Sequence, residues 1–149
     1  MSSKARSRRK RHDRKKLLKR VRNRWDKQTV FVKPEPGQVR VSEALRQVAA
    51  PLLKEARTRE QAHACVLLSS LSWNLAVLPE SKRQSYRQTF EAKASEAFPA
   101  TDPQMRTLVD DLMARKQALF PDDNRMILDV EVTDEGNEWR IMAAAVQAP

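Results

Sequence analysis

Hydrophobic residues recur every three or four positions in four stretches between residues 42 and 120, which predicts four α-helices. Ser42 is a suitable N-cap for the first helix. Pro51 lies within the hydrophobic stripe of this helix and predicts a kink or a break near Ala50, because proline has no backbone N–H. The stripe consists of Leu45, Val48, Ala49, Leu52 and Leu53.

The second predicted helix is the most hydrophobic of the four. Thr58 and Gln61 form a capping-box pattern, and we expect the helix to run to about Leu78. Its sequence AHACVLLSSLSWNLAVL is apolar on nearly every face, which is typical of a central, buried helix. Within it, we expect the serines to permit close packing and Asn74 to satisfy a neighbouring backbone group.

The third and fourth helices have narrower hydrophobic faces. The third follows Pro79, and its stripe of Tyr86, Phe90, Ala94 and Ala97 or Phe98 predicts a surface helix. The fourth has start signals at residues 101–104 and an end signal at Phe120–Pro121. Its expected inner face consists of Met105, Leu108, Val109, Leu112 and Leu119.

Near the C-terminus the hydrophobic period changes from helical to alternating. Residues 126–132 and 138–146 alternate on either side of a loop that contains Gly136, which predicts a β-hairpin. The expected inward residues are Met126, Leu128, Val130 and Val132 in the first strand and Trp139, Ile141 and Ala143 in the second. A lone hairpin is marginal in water, so it must pack on the helices, pair with the extended segment 29–33, or pair with another chain.

These elements predict an α+β fold, mainly α, with about four helices, a C-terminal hairpin and a disordered basic N-terminal arm. We divide the chain into a basic arm (1–28), an extended linker (29–41) and a helical domain with the hairpin (42–149). Within the arm, residues 1–13 have no hydrophobic period and are expected to be disordered. Residues 14–26 can form an amphipathic helix when their charge is neutralised, with Leu17, Leu18, Val21 and Trp25 on one face.

Charge is very unevenly distributed along the chain. Residues 1–24 contain 13 lysines and arginines and one aspartate, whereas the whole chain carries a net charge of +10. The remaining residues therefore carry a net charge of −2, and the basic character belongs to the arm. A dense cationic segment attached to a nearly neutral domain indicates binding to a polyanion.

Nucleic acid is the polyanion that the composition of the arm favours. Arginine outnumbers lysine eight to five in residues 1–24, and its planar guanidinium matches phosphate geometry. RNA is favoured over DNA, because arginine-rich disordered segments commonly fold on structured RNA. The predicted nucleic-acid-binding residues are Arg6, Arg8, Arg9, Lys10, Arg11, Arg14, Lys15, Lys16, Lys19, Arg20, Arg22 and Arg24.

Other partners remain open. The arm could bind an acidic protein, lie with its hydrophobic face on an anionic membrane, or serve as a targeting signal. We expect Val21 and Trp25 to dock the arm onto the body rather than insert into lipid. The helical body is expected to contact a partner protein or a second copy of the chain.

Composition limits the remaining classes of function. Two glycines make a glycine-rich phosphate loop improbable, and a single cysteine allows no intramolecular disulfide. No hydrophobic run is long enough for a transmembrane helix, and the N-terminus lacks the apolar stretch of a secretory signal. We expect a cytoplasmic protein, or a nuclear one in a eukaryote.

We predict no catalytic residues, metal site or cofactor, and therefore no enzymatic activity. His63 and Cys65 are two positions apart on a helix and so do not share a face. Asp129 and Glu131 should project from one face of a strand, but no further ligands of a metal site are recognisable. Their solvated position explains them more simply.

Overall fold

The computed structural model describes residues 8–9, 11–13, 15–17, 19, 37–97 and 103–148, with only the backbone for 90–97. Four helices are followed by an antiparallel hairpin, which confirms the predicted α+β, mainly α class. The described residues of the basic arm add a further helical segment. Helix α1 spans Val41–Leu53, α2 Arg59–Val77, α3 Glu80–Ala97 and α4 Pro103–Leu119; strand β1 spans Arg125–Asp134 and β2 Trp139–Gln147.

Helix α1 begins earlier than predicted, and Pro51 does not split it. It begins at Val41 with Arg40 as N-cap, and no side chain caps it, so the prediction of a Ser42 cap is wrong. The helix also continues through Pro51 to Leu53 rather than breaking near Ala50. Proline removes one hydrogen bond here, to the carbonyl of Gln47, and Arg115 of α4 supplies two replacement donors to that oxygen, at 2.9 and 3.0 Å.

Helix α2 is the centre of the fold, as predicted. The capping box of Thr58 and Gln61 is present, and the helix packs against α1, α3, α4 and both strands. Its buried serines donate hydrogen bonds to carbonyls one turn earlier in the same helix, Ser69 to Cys65 and Ser72 to Leu68. The small, internally satisfied side chains allow its neighbours to approach closely.

Helices α3 and α4 complete the helical layer around α2. Tyr86 is the half-buried contact of α3, whereas the side chains of Phe90, Ala94 and Ala97 lie outside the described part, as does Phe98. On α4, Val109 and Leu112 are buried as predicted, but Leu119 is 41 % exposed and does not belong to the inner face. It lies at the last residue of the helix, beyond the packed turns.

The hairpin lies where the alternating pattern predicts it, but β1 changes phase along its length. A β-bulge interrupts the register between Ile127 and Asp129. The inward residues are consequently Arg125 and Ile127 before the bulge and Val130 and Val132 after it. Met126 and Leu128 were predicted to face inward, and that prediction is wrong because the extra residue of a bulge shifts the side-chain alternation by one.

The second strand keeps its predicted phase. Trp139, Ile141 and Ala143 pack in the main hydrophobic core, whereas Met142 and Ala144 face the opposite side of the hairpin. The inner face therefore packs on α1 and α2, which satisfies the requirement that the hairpin be covered by helices.

Side chains of α2 occupy the edge of β1 that faces away from β2. Trp73 Nε1 donates to the carbonyl of Arg125 at 2.7 Å, and Arg59 Nε donates to that of Val132 at 3.0 Å. Asn74 bonds both the N–H and the carbonyl of Ile127. These contacts satisfy backbone groups that an unpaired strand edge would expose.

The linker precedes this body, and only its last residues are described. Residues 29–36, including the candidate strand 29–33, lie outside the described part. Gly37 has a φ of 81°, a conformation that glycine adopts without strain, and residues 38–40 lead irregularly into α1.

Candidate nucleic-acid interface

The described residues of the basic arm, at positions 8–9, 11–13, 15–17 and 19, are helical. The prediction of disorder for residues 1–13 concerns in part residues 1–7 and 10, which lie outside the described residues. Asp13 and Leu17 are four residues apart, so they lie on one face of a helix, and both contact the hairpin. The contacts of these two residues stabilise helical structure in a segment where repulsion between neighbouring positive charges opposes it.

Leu17 anchors the arm in a small hydrophobic cluster of its own. Its side chain is 1 % exposed and packs with Met142 and Ala144, and Leu128 lies against the same cluster. These three residues belong to the outer face of the hairpin, opposite the main core. The hairpin is therefore covered on both faces, by the helices of the body and by the arm.

An ion pair joins the arm to the hairpin beside this cluster. Arg140 Nη1 donates to Asp13 Oδ2 at 2.8 Å and also lies 3.7 Å from Glu135 Oε1. Asp13 is the single acidic residue of positions 1–24. Because its carboxylate is paired with the body, it does not offset the positive charges on the arm's other faces.

The cations of the arm point away from this contact. Six of the twelve predicted binding residues are described, and all six are exposed: Arg8, Arg9, Arg11, Lys15, Lys16 and Lys19. With 3.6 residues per turn, four of them lie opposite Asp13 and Leu17. We refer to these four as the outer row: Arg8, Arg11, Lys15 and Lys19. The other six predicted residues, Arg6, Lys10, Arg14, Arg20, Arg22 and Arg24, lie outside the described residues.

The predicted docking through Val21 and Trp25 falls on residues outside the described part, and a different member of the hydrophobic stripe contacts the hairpin. Leu17 makes the contact, whereas Leu18, Val21 and Trp25 lie outside the described residues. The contributions of Asp13 and Arg140 were missed. The sequence signal for Asp13 is that it is the one acidic residue in a basic run and lies four positions before Leu17. No signal in the sequence marks Arg140.

A second cluster of charges is buried inside the body. Arg125 donates to both carboxylate oxygens of Asp123, at 2.9 and 2.6 Å, and to the carbonyl of Val39 at 2.7 Å. Lys116 Nζ donates to the carbonyl of Asp123 at 2.6 Å and lies 5.1 Å from the centre of the Trp73 ring. Burial lowers the pKa of Lys116, and the charges of Asp123 and Asp122 oppose that effect.

This buried cluster ties together segments that are distant in the sequence. Lys116 and Arg125 are each 1 % exposed, so neither can meet a macromolecular ligand. The pair between Asp123 and Arg125 was not predicted from the sequence. The cluster therefore belongs to the interior of the fold and is not part of the candidate interface.

Cys65, the cysteine that lies near His63 in the sequence, is half-buried on α2. Burial raises the pKa of the Cys65 thiol, which disfavours the reactive thiolate, and the Sγ atom lies 3.8 Å from the carbonyl oxygen of Leu52. His63 is two positions away on the same helix.

Burial also raises the pKa of the Tyr86 hydroxyl, which accepts a hydrogen bond from Asn74 Nδ2 at 2.9 Å.

Asp129 and Glu131 lie on the outer face of the hairpin, as expected from their spacing. They pair across the sheet with Ala144 and Met142, the two residues that contact Leu17. Within the described ranges there is no group of three or more acidic, histidine or cysteine side chains arranged to hold a metal ion. Because they lie on the face of the hairpin that contacts the arm, the Asp129 and Glu131 carboxylates place negative charge beside the basic arm.

A polar groove lies between α3 and α4. It has a volume of about 500 Å³ and is lined by Gln84, Arg87, Gln88, Arg106 and Asp110. Arg87 Nη2 lies 3.3 Å from Asp110 Oδ1, so an arginine of the groove is paired with its carboxylate. The groove is less cationic than the outer row and is the weaker candidate for a polyanion.

The helices and the comparisons with known proteins bear on the class of protein. Among the helices in the described part of the chain, none combines the length and hydrophobicity needed to span a bilayer. Comparison with known proteins finds no family model, curated protein or solved structure that matches the chain. Functional inference therefore depends on the geometry and charge described above.

Proposed function

We propose that this chain is a non-enzymatic, nucleic-acid-binding accessory protein. Its basic arm binds the phosphates of RNA or DNA, and its helical body contacts a partner protein or a second copy of the chain. RNA is the favoured ligand because the arm is rich in arginine, which binds phosphate, and arginine-rich segments commonly fold on structured RNA.

One observation carries the proposal: the arm's described lysines and arginines are all exposed, while Asp13, the single acidic residue of positions 1–24, is paired with Arg140. The arm thus presents a nearly uniform cationic surface. Adjacent cations of the outer row, such as Arg11 and Lys15, repel each other at a spacing of four residues. A bound polyanion removes that repulsion, which favours phosphate over a neutral ligand.

The arm should supply affinity and not sequence selectivity. Its charges suit contacts with the backbone, which position a nucleic acid but do not read its bases. If about six phosphates are engaged, affinity for a DNA duplex should fall on the order of a thousandfold between 50 and 200 mM salt. A membrane ligand is less favoured, because Leu17 packs on the hairpin and is not available to lipid.

The test compares two triple variants of the full chain. The arm variant changes Arg8, Lys15 and Lys19 to Gln. The control variant changes three exposed cations of the body to Gln: Lys54, Arg57 and Lys82. Each variant therefore removes one arginine and two lysines. Fluorescence anisotropy with labelled RNA and DNA, measured at several salt concentrations, gives the affinity and its salt dependence.

We expect the arm variant to lose affinity and its salt slope to decrease by about 3, since each neutralised phosphate contact contributes close to one. The control variant should bind as the unchanged protein does. Equal losses in both variants would contradict the proposal. Binding to anionic vesicles but to no nucleic acid would assign the arm to a membrane instead.

A further inference from the structure

We infer that the arm recognises double-stranded nucleic acid in preference to single strands, an inference that rests on the function proposed above. The decisive feature is that the described residues of the arm are helical and that two of them contact the hairpin. Asp13 and Leu17 hold one face, through the Arg140 ion pair and the cluster with Met142. The cations of the opposite face are consequently held at defined distances from each other.

The outer row forms a straight array of charges. Arg8 and Lys19 are eleven residues apart, so at 1.5 Å per residue their Cα atoms are separated by about 16 Å along the helix axis. A duplex carries one negative charge per about 1.7 Å of its axis and therefore presents about ten phosphates over that length. A fixed, extended array of cations matches a stiff, densely charged polymer.

Two further properties of the arm disfavour single strands. Residues 1–24 contain one aromatic ring, that of His12, so this part of the arm offers little surface on which unpaired bases could stack. A flexible strand must also lose conformational freedom to follow a fixed row of charges, whereas a duplex is already stiff. The hairpin covers the face that carries Asp13 and Leu17, so among the described residues the outer row lies on the side of the arm that is open to a ligand.

The experiment uses the full chain and probes with equal numbers of phosphates: RNA and DNA duplexes of about 20 base pairs and unstructured single strands of about 40 nucleotides. Counterion release alone favours a duplex about fivefold at 150 mM salt if four phosphates are contacted, because the slope per contact is about 0.9 for duplexes and about 0.7 for single strands. A flexible arm would show that ratio. We expect the docked arm to exceed it for both duplexes.

Undocking the arm should remove the excess preference. Leu17→Asp places a charge in the hydrophobic cluster, and Leu119→Asp is the matched control, because Leu119 is an exposed leucine on the body. We expect the first variant to fall to the fivefold ratio and the second to keep the preference of the unchanged protein. Circular dichroism at the same salt concentration shows whether each variant is folded.

A pair of charge variants tests the same contact without changing a hydrophobic residue. Arg140→Asp sets two carboxylates against each other and should lower the duplex preference; adding Asp13→Arg restores an ion pair and should restore the preference. A ratio at or below fivefold in the unchanged protein, or one that undocking does not alter, would overturn the inference while leaving nucleic-acid binding intact. Binding no stronger than that of the arm variant to any probe would instead overturn the proposed function.

Discussion

The side-chain amide of Asn74 bonds to Ile127 as the backbone of a neighbouring strand would. Ile127 N–H donates to Asn74 Oδ1 at 2.8 Å, and Asn74 Nδ2 donates back to the Ile127 carbonyl at 2.8 Å. The same Nδ2 donates to the Tyr86 hydroxyl at 2.9 Å. One buried amide of α2 thus joins the edge of β1 to α3 at the position of the β-bulge.

Replacing Asn74 with Ala should strongly destabilise the protein. The substitution leaves the buried N–H and carbonyl of Ile127 without partners, and each unsatisfied group costs about 1–3 kcal/mol. We expect the free energy of unfolding to fall by about 2–5 kcal/mol in urea titrations. Ser70→Ala is the control, because the Ser70 hydroxyl bonds only within its own helix; it should cost less than about 1 kcal/mol. Similar losses for the two variants would show that helix packing, and not the amide, is responsible.

The role of Asn74 could be predicted from sequence, whereas its partner could not. A lone amide in an apolar helix must find a buried backbone group. The identity of that group depends on the β-bulge after Ile127, which inverts the side-chain alternation of β1. The residues at the bulge do not differ in type from those of a regular strand, so the sequence does not mark its position. Periodicity therefore predicted the strand but assigned the wrong face to Met126 and Leu128.

Charge patterning likewise predicted the arm but not its position. Net charge is a sum over neighbouring residues and can be read from the sequence directly. Docking depends on Asp13 and Arg140, which are 127 positions apart. A contact between such distant residues follows from the tertiary fold, so net charge predicted the arm but not the surface of the hairpin that Asp13 and Leu17 contact.

Arg115 and Pro51 should be energetically coupled. Pro51 lacks the N–H that would bond the Gln47 carbonyl, and Arg115 Nε and Nη2 donate to that oxygen instead. We expect Arg115→Ala to cost about 1 kcal/mol at this partly exposed site. In a Pro51→Ala background the new N–H of residue 51 can bond Gln47, so the same substitution should cost less.

A double-mutant cycle measures this coupling by urea denaturation. A coupling energy of about 0.5 kcal/mol or more would agree with a shared acceptor. Additive effects of the two substitutions would mean that Arg115 does not compensate for the proline.

The buried ammonium group of Lys116 should make stability depend on pH in the alkaline range. Burial lowers its pKa below the ordinary value of 10.5 in the folded state. Between these two pKa values the unfolded chain holds a proton that the folded chain has lost, so this group makes the free energy of unfolding rise with pH. Below the folded-state pKa both states are protonated, and the contribution is constant.

The comparison of the unchanged protein with Lys116→Met isolates this effect. Cys65 and Tyr86 have raised pKa values and lower the stability at high pH, but they are present in both proteins and cancel in the difference. We expect the difference in free energy of unfolding to move in favour of the unchanged protein as pH increases towards 10.5, by at most about 1.4 kcal/mol per pH unit. A constant difference from neutral to alkaline pH would contradict a lowered pKa.

Leu17 should control how often the arm leaves the hairpin. Its side chain is 1 % exposed, and full burial of a leucine is worth about 2 kcal/mol. Leu17→Ala removes most of that contact and should increase the open population by roughly tenfold or more. When opening is rapid compared with cleavage, proteolysis follows that population, so trypsin should cut after Lys15, Lys16 and Lys19 faster by a similar factor. Leu119→Ala, at an exposed position on α4, should leave the rate unchanged. Equal cleavage of the unchanged protein and Leu17→Ala would mean that the leucine does not hold the arm.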